Sequence, residues 1–343
     1  MKSQGIFGLG NPLLDIQATV KPEILEEFSL KPNDAILAEL RHMEIFTRLE
    51  NTPGVEYVAG GATQNSLRVA KWALVVKLGR ADIPCTFMGA VGSDDRGRKM
   101  LAACQGSGKI HCMYQVNTEG TGTCAICITQ FGRARSLVAN VGAAAKFDFR
   151  VFEASLPDLI KSHGIFYNEG YFICSSADSV RHMAKAAHAA GKTYATNISA
   201  PFIAQVPAFR EVLMDCMPFT GLLFGNDAEA LALGYALGWE GELVEICKKL
   251  ATYQHADGVH RVVVITRGGD STLVSNARGE VVEVPIIPVS ELVDTNGAGD
   301  AYVGGFLAGL ACGKDVLECC RLGAEAASMI IQRSGCSLPD YNE

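Results

Sequence analysis

The 343 residues are 48% hydrophobic and 20% charged, enough apolar material for one large globular domain or a domain with a smaller piece attached. With a net charge of −7 and no long basic run, the chain lacks the footprint of a nucleic-acid binder. No stretch of about 18 apolar residues escapes a charge or a helix breaker, so no membrane partner is expected.

Met1-Lys2-Ser3-Gln4-Gly5 leads directly into an apolar run without a targeting signal. Twelve irregularly spaced cysteines, with no secretory context, read as reduced thiols. A cytoplasmic protein is expected, with a nuclear pool left open. Residues 5–9 predict a strand that ends at Gly10-Asn11-Pro12. Gly8-Leu9-Gly10 begins like a dinucleotide fingerprint, but the third glycine is missing and Pro12 interrupts the turn. Asp15 is a lone charge in Leu13-Leu14-Asp15-Ile16. It either faces solvent at a strand end or is buried and needs partners. The vicinal hydroxyls of a sugar would serve, because a carboxylate accepts two hydrogen bonds at once.

Helical stretches follow near 22–28 and 39–50, and Gly60-Gly61-Ala62-Thr63-Gln64-Asn65 opens a helix running to about Val76. Cys85–Gly92 reads as a strand, with a helix after Asp94-Asp95-Arg96-Gly97. From 112 to 141 short strands dominate, with turns at Glu119-Gly120 and Phe131-Gly132. This departure from a βα rhythm predicts a small discontinuous β-lid of residues 13–62 and 112–141. The large domain is then 1–12, 63–111 and 142–343. Cys124-Ala125-Ile126-Cys127 matches C-x-x-C, but its surroundings have a strand's composition, whereas the redox motif opens a helix. Arg135 also lies in the lid, where an arginine could swing over phosphates, although most surface arginines do not.

Beyond 150, apolar strands at 164–167, 192–197, 221–226 and 261–266 alternate with helices. The pattern predicts an α/β fold with a mainly parallel central sheet covered on both faces, and ligands at the C-terminal strand ends. Gly191-Lys192-Thr193 looks like the end of a P-loop, but Ala186 stands where a glycine is required. Asn226-Asp227-Ala228-Glu229 fits a capping box opening a helix over 227–237. Near the C-terminus, Asp294-Thr295-Asn296-Gly297-Ala298-Gly299-Asp300 feeds an uncharged helix in which Ala301, Gly305 and Gly309 form a small-residue stripe. Gly297 and Gly299 can leave backbone N–H groups uncovered at the positive end of that helix, an arrangement suited to a phosphate. Asp300 is then either a favourable first-turn charge or a general base beside an anion nest.

Asp294–Asp300 followed by Ala301-Tyr302-Val303-Gly304-Gly305-Phe306-Leu307 resembles the signature of the ribokinase-like (PfkB) carbohydrate kinases. Asn11–Asp15 and Gly60–Asn65 resemble the members that phosphorylate adenosine, and the likeness runs from Gly8 to Gly335. It implies a three-layer ribokinase-like domain with a β-rich lid, passing the ATP γ-phosphoryl group to the adenosine 5′-hydroxyl. By this resemblance Asp300 takes the hydroxyl proton, the amides of Gly297, Ala298 and Gly299 hold the phosphoryl group, and Arg135 spreads its charge. Adenosine is expected against Asn11, Leu13, Asp15, Leu37, Gly60, Gly61, Asn65, Cys124, Leu137, Ala139, Tyr171 and Asn296, with Asp15 on the 2′- and 3′-hydroxyls. ATP is expected near Asn226, Thr266 and Gly268, with Asn226 and Glu229 organising Mg²⁺ largely through water. Tyr171 and Phe172 could stack on the purine or belong to the core. Ala62 departs from the usual serine, and Glu169 is an unusual charge beside the aromatic pair. A monomer is expected. Another kinase of the same superfamily, an NAD-dependent oxidoreductase and a silent purine-binding protein are the alternatives.

Overall fold

The computed structural model describes residues 4–32, 35–107, 110–129 and 134–341. The chain-order strands are β1 (Gly5–Leu9), β2 (Leu13–Thr19), β3 (Ala35–Leu37), β4 (Glu56–Gly60), β5 (Cys85–Gly92), β6 (His111–Asn117) and β7 (Thr123–Thr129). They continue with β8 (Ala134–Asn140), β9 (His163–Glu169), β10 (Thr193–Asn197), β11 (Thr220–Asn226), β12 (Val262–Arg267), β13 (Asp270–Asn276) and β14 (Val281–Val284). Nine form one sheet in the order β14-β13-β12-β11-β10-β9-β1-β5-β6, parallel except for the hairpin edge of β12, β13 and β14. Its central strands are buried along their whole length, as a sheet covered on both faces requires. The pleat divides them between two cores. Phe7, Leu9 and Phe166 face one, and Ile6, Phe87 and Tyr167 face the other.

The remaining strands form the lid, ordered β3-β8-β7-β2-β4. One face of it packs Ile16, Ala18, Ala125 and Val138 against Phe46 and Leu49 of the helix Met43–Glu50. The lid does not begin at 112, however. His111–Asn117 pairs with β5 from Thr86↔His111 to Gly92↔Asn117, as the edge strand of the large sheet. A half-buried edge strand has the composition of a lid strand, so composition alone assigned it to the wrong sheet. The turn predicted at Phe131-Gly132 lies outside the described residues.

The helix Ala298–Ala311, called here the nest helix, is buried from Ala301 to Gly309, between the helices Ala62–Trp72 and Val316–Ile330. A Cβ on Gly304 would stand 2.5 Å from Ser66 O, and one on Gly305 would stand 2.3 Å from Leu322 O. Gly305, in the stripe, is thus a close backbone approach to the helix Val316–Ile330, and Gly304 beside it is the approach that brings the nest helix and the helix of Asn65 together. No described helix is long and apolar enough to cross a membrane.

Candidate active site

Gly297 holds φ 75° and ψ 0°, the left-handed conformation that lets the chain turn into the nest helix. Gly299 is exposed, with no atom within 4 Å of the place a side chain would start. The first amides of the helix have no helical acceptor and lie at its positive end, so this turn is an anion nest. Asp300 follows, only partly buried. Asn65 Nδ2 donates to Asp300 Oδ2 at 3.0 Å. Burial pushes the Asp300 carboxyl up to about 6 while the Asn65 bond pulls it back. The group remains ionised at neutral pH, yet is a stronger base than an ordinary aspartate. Asn65, expected on the sugar, thus addresses the candidate base.

Strand register assembles much of the expected acceptor surface. Asp15 lies opposite Cys124, Cys124 opposite Ala139, and Ala139 opposite Leu37, so the four share one cross-strand row. Leu13 and Leu137, two residues along their strands from Asp15 and Ala139, share that face. Asp15 lies over Gly60, where a Cβ would come 2.4 Å from its carboxylate oxygens. Burial pushes the Asp15 carboxyl up to about 7, with Arg68 and Arg135 opposing and Asp300 and Asp294 reinforcing the shift. Among the described residues none donates a hydrogen bond to this carboxylate. Its lone pairs are open to a ligand. Gly61 opens the helix Ala62–Trp72 at φ 96°, where a Cβ would strike Asn11 O.

Arg135 differs from the mobile surface arm anticipated. It is buried, with Nε 3.0 Å from Asp294 Oδ2, and it donates to Gln17 Oε1 at 3.1 Å and Ser334 Oγ at 2.8 Å. Asp294 also accepts the amides of Asn296 at 2.9 Å and Gly335 at 2.7 Å. The pair latches the lid to the loop before the nest. Reaching a phosphate would require Arg135 to leave it. Asp294, Gln17 and Ser334 carried no sequence signal for this role beyond the position of Asp294 in the glycine motif.

On the opposite wall Asn11 is buried and donates from Nδ2 to Tyr171 O at 3.4 Å. Phe172 is not a stacking surface: it is fully buried against Phe147. Tyr171 is 39% exposed, held by its hydroxyl on Ser199 O at 2.9 Å. Cys124 and Cys127 lie on β7, three residues apart and so on opposite faces, which suits neither a disulfide nor a redox pair.

Asn226 and Glu229 form the capping box: Asn226 Oδ1 accepts Glu229 N–H at 2.9 Å, and Glu229 Oε2 accepts Asn226 N–H at 3.0 Å. With Thr266, Asn197 and Gly299 they line a cleft of about 60 Å³. Gly268 is in the β12–β13 turn at φ 59°, with open space around it. Burial pushes the Glu229 carboxyl up to about 7, and no described cation pairs with it. Each oxygen keeps a lone pair. This donor set fits Mg²⁺, which retains several waters and needs few protein ligands.

Comparison with known proteins identifies the family and the fold. Residues 25–342 match the pfkB family of carbohydrate kinases. The chain is 39% identical to adenosine kinase 1 of Arabidopsis thaliana, covering 98% of this chain and 96% of that one. It superposes with a TM-score of 0.88 on Anopheles gambiae adenosine kinase in complex with P1,P4-di(adenosine-5) tetraphosphate, at 38% identity over 98% of both chains. Schistosoma mansoni adenosine kinase in complex with adenosine and AMP gives a TM-score of 0.87 at 28% identity, over 100% of this chain and 99% of that one.

Proposed function

From the premise that the chain belongs to the pfkB family of carbohydrate kinases, we infer an ATP-dependent phosphotransferase that acts on adenosine. The observation that carries this reading is the Asp300 carboxylate, held by Asn65 at the mouth of an anion nest, beneath a lid that offers the open carboxylate of Asp15. Asp15 accepts the ribose 2′- and 3′-hydroxyls, and the apolar lid row covers the nucleoside. The 5′-hydroxyl is then directed to Asp300, which takes its proton as the oxygen attacks the γ-phosphorus of ATP. The oxygen–phosphorus bond forms as the bond to ADP breaks, giving AMP and ADP. Amides of the nest helix receive the charge that builds on the transferring group, and such preorganised donors supply the larger share of the rate. Asn226 and Glu229 would hold Mg²⁺ through water, and the ion when bound neutralises phosphate charge. Lid closure excludes water, which would otherwise compete as acceptor.

Asp300→Asn keeps the hydrogen bond to Asn65 available while removing the base. We expect kcat to fall by about 10²–10⁴ with adenosine affinity retained. Turnover near that of the unaltered enzyme contradicts the assignment.

A further inference from the structure

Glu169 ends β9 and is 1% exposed. Its side chain reaches the end of β1, where Oε1 accepts the Asn11 amide at 3.3 Å. Oε2 is hydrogen-bonded to Thr63 Oγ1, in the first turn of the helix that begins at Ala62. The Thr63 hydroxyl has two further partners, the Glu169 N–H at 3.1 Å and the Leu9 carbonyl at 3.4 Å. A hydroxyl carries one hydrogen and two lone pairs. All three contacts are satisfied together in one way. Thr63 donates to Leu9 O, accepts the Glu169 N–H, and accepts a hydrogen from Glu169 Oε2. With the acid uncharged every one of these contacts has its hydrogen; with it ionised, Thr63 donates to Glu169 instead and the long contact to Leu9 O is the one lost.

We propose that Glu169 is a positioning residue for the nucleoside pocket, a neutral acid that fixes Asn11 and Thr63 and through them the wall on which adenosine seats. The proposal rests on the adenosine reading of the cleft. Ionisation turns the Thr63 hydroxyl away from Leu9 O and places a second negative charge near Asp300. Burial, reinforced by Asp300, pushes the carboxyl up to about 8. The other titratable groups that share its field are Tyr167 on its own strand and Tyr171 and Cys174 on the following helix, all acids. Asn11 and Thr63, from β1 and the helix, do not titrate.

The test measures the KM for adenosine at saturating ATP–Mg²⁺ across neutral and alkaline pH, in the unaltered enzyme, Glu169→Gln and Glu169→Ala. In the unaltered enzyme KM rises as pH passes about 8 while kcat holds. Glu169→Gln donates to Thr63 and accepts from Asn11 at any pH, so it keeps the neutral-pH KM and loses the alkaline rise. Glu169→Ala raises the adenosine KM by up to about tenfold, the scale of one hydrogen bond, without moving that for ATP. A glutamine variant that retains the alkaline rise overturns the proposal, as does a loss confined to kcat. If the alanine variant does not fold, the glutamine variant decides alone. Failure of the unaltered enzyme to turn over adenosine would instead strike the functional reading. Calorimetric titration of adenosine into the same proteins separates the two, since it reads the pocket without turnover.

Discussion

Asp300 and Asp15 are both carboxyls raised by burial, but they stand at opposite ends of the substrate's work. Asp300 must lose its proton to act as base, and its carboxyl lies at about 6. Asp15 must be ionised to accept two hydroxyls, and lies at about 7. Both shifts are upward, so the active, charged forms are lost as pH falls through these values. The parameter kcat/KM reports the free enzyme and kcat the bound one. We therefore expect kcat/KM for adenosine to decline below about pH 7 and more steeply below about 6, while kcat declines only in the lower step. Pre-steady-state and steady-state pH profiles check this. A flat kcat down to about pH 5 contradicts the role of Asp300, whose charge would by then be largely lost.

The nest helix and the lid meet through elements that sequence reading separates. Asp294 begins the glycine motif, and Arg135 lies on β8 of the lid, yet their side chains, 2% and 7% exposed, form one ion pair. Removing one charge from a buried pair leaves the other unmatched, at a cost of about 3–5 kcal/mol. Asp294→Asn additionally turns an amide hydrogen towards a backbone or guanidinium donor, because both carboxylate oxygens are occupied. A fall of that size in denaturant stability, with faster proteolysis of the lid, is the expected outcome. An unchanged unfolding midpoint would mean that the latch does not bind the lid. Local features were legible in the sequence because their partners are neighbours: the Asn226 capping box and the left-handed Gly297 need only adjacent residues. The Asn65–Asp300 bond joins positions 235 apart, and Thr63–Glu169 positions 106 apart, so neither left a local pattern to read. Sheet membership of His111–Asn117 was hidden for a related reason. Period and composition identify a strand, while its sheet is fixed by a distant partner, β5.

Across the whole molecule the cleft is organised by scarcity of positive charge. Asp15, Glu169, Glu229 and Asp300 all have carboxyls raised by burial, and the cations whose fields reach Asp15 are Arg68 and Arg135. Such a cleft suits a neutral nucleoside at the lid, with phosphate met by amide dipoles rather than by a cluster of lysines. The fold-level layout, a parallel sheet with its functional loops at the C-terminal strand ends, was readable from alternation alone. The acceptor could not be read from alternation, since its pocket depends on how a second sheet is registered over the first. It was read instead from the resemblance of Asn11–Asp15 and Gly60–Asn65 to kinases that phosphorylate adenosine. The most direct measurement is therefore ADP release with ATP–Mg²⁺ and, in turn, adenosine, guanosine, inosine, ribose and fructose. The account predicts strong turnover with adenosine and little with the rest. Equal or greater turnover on a free sugar would contradict it.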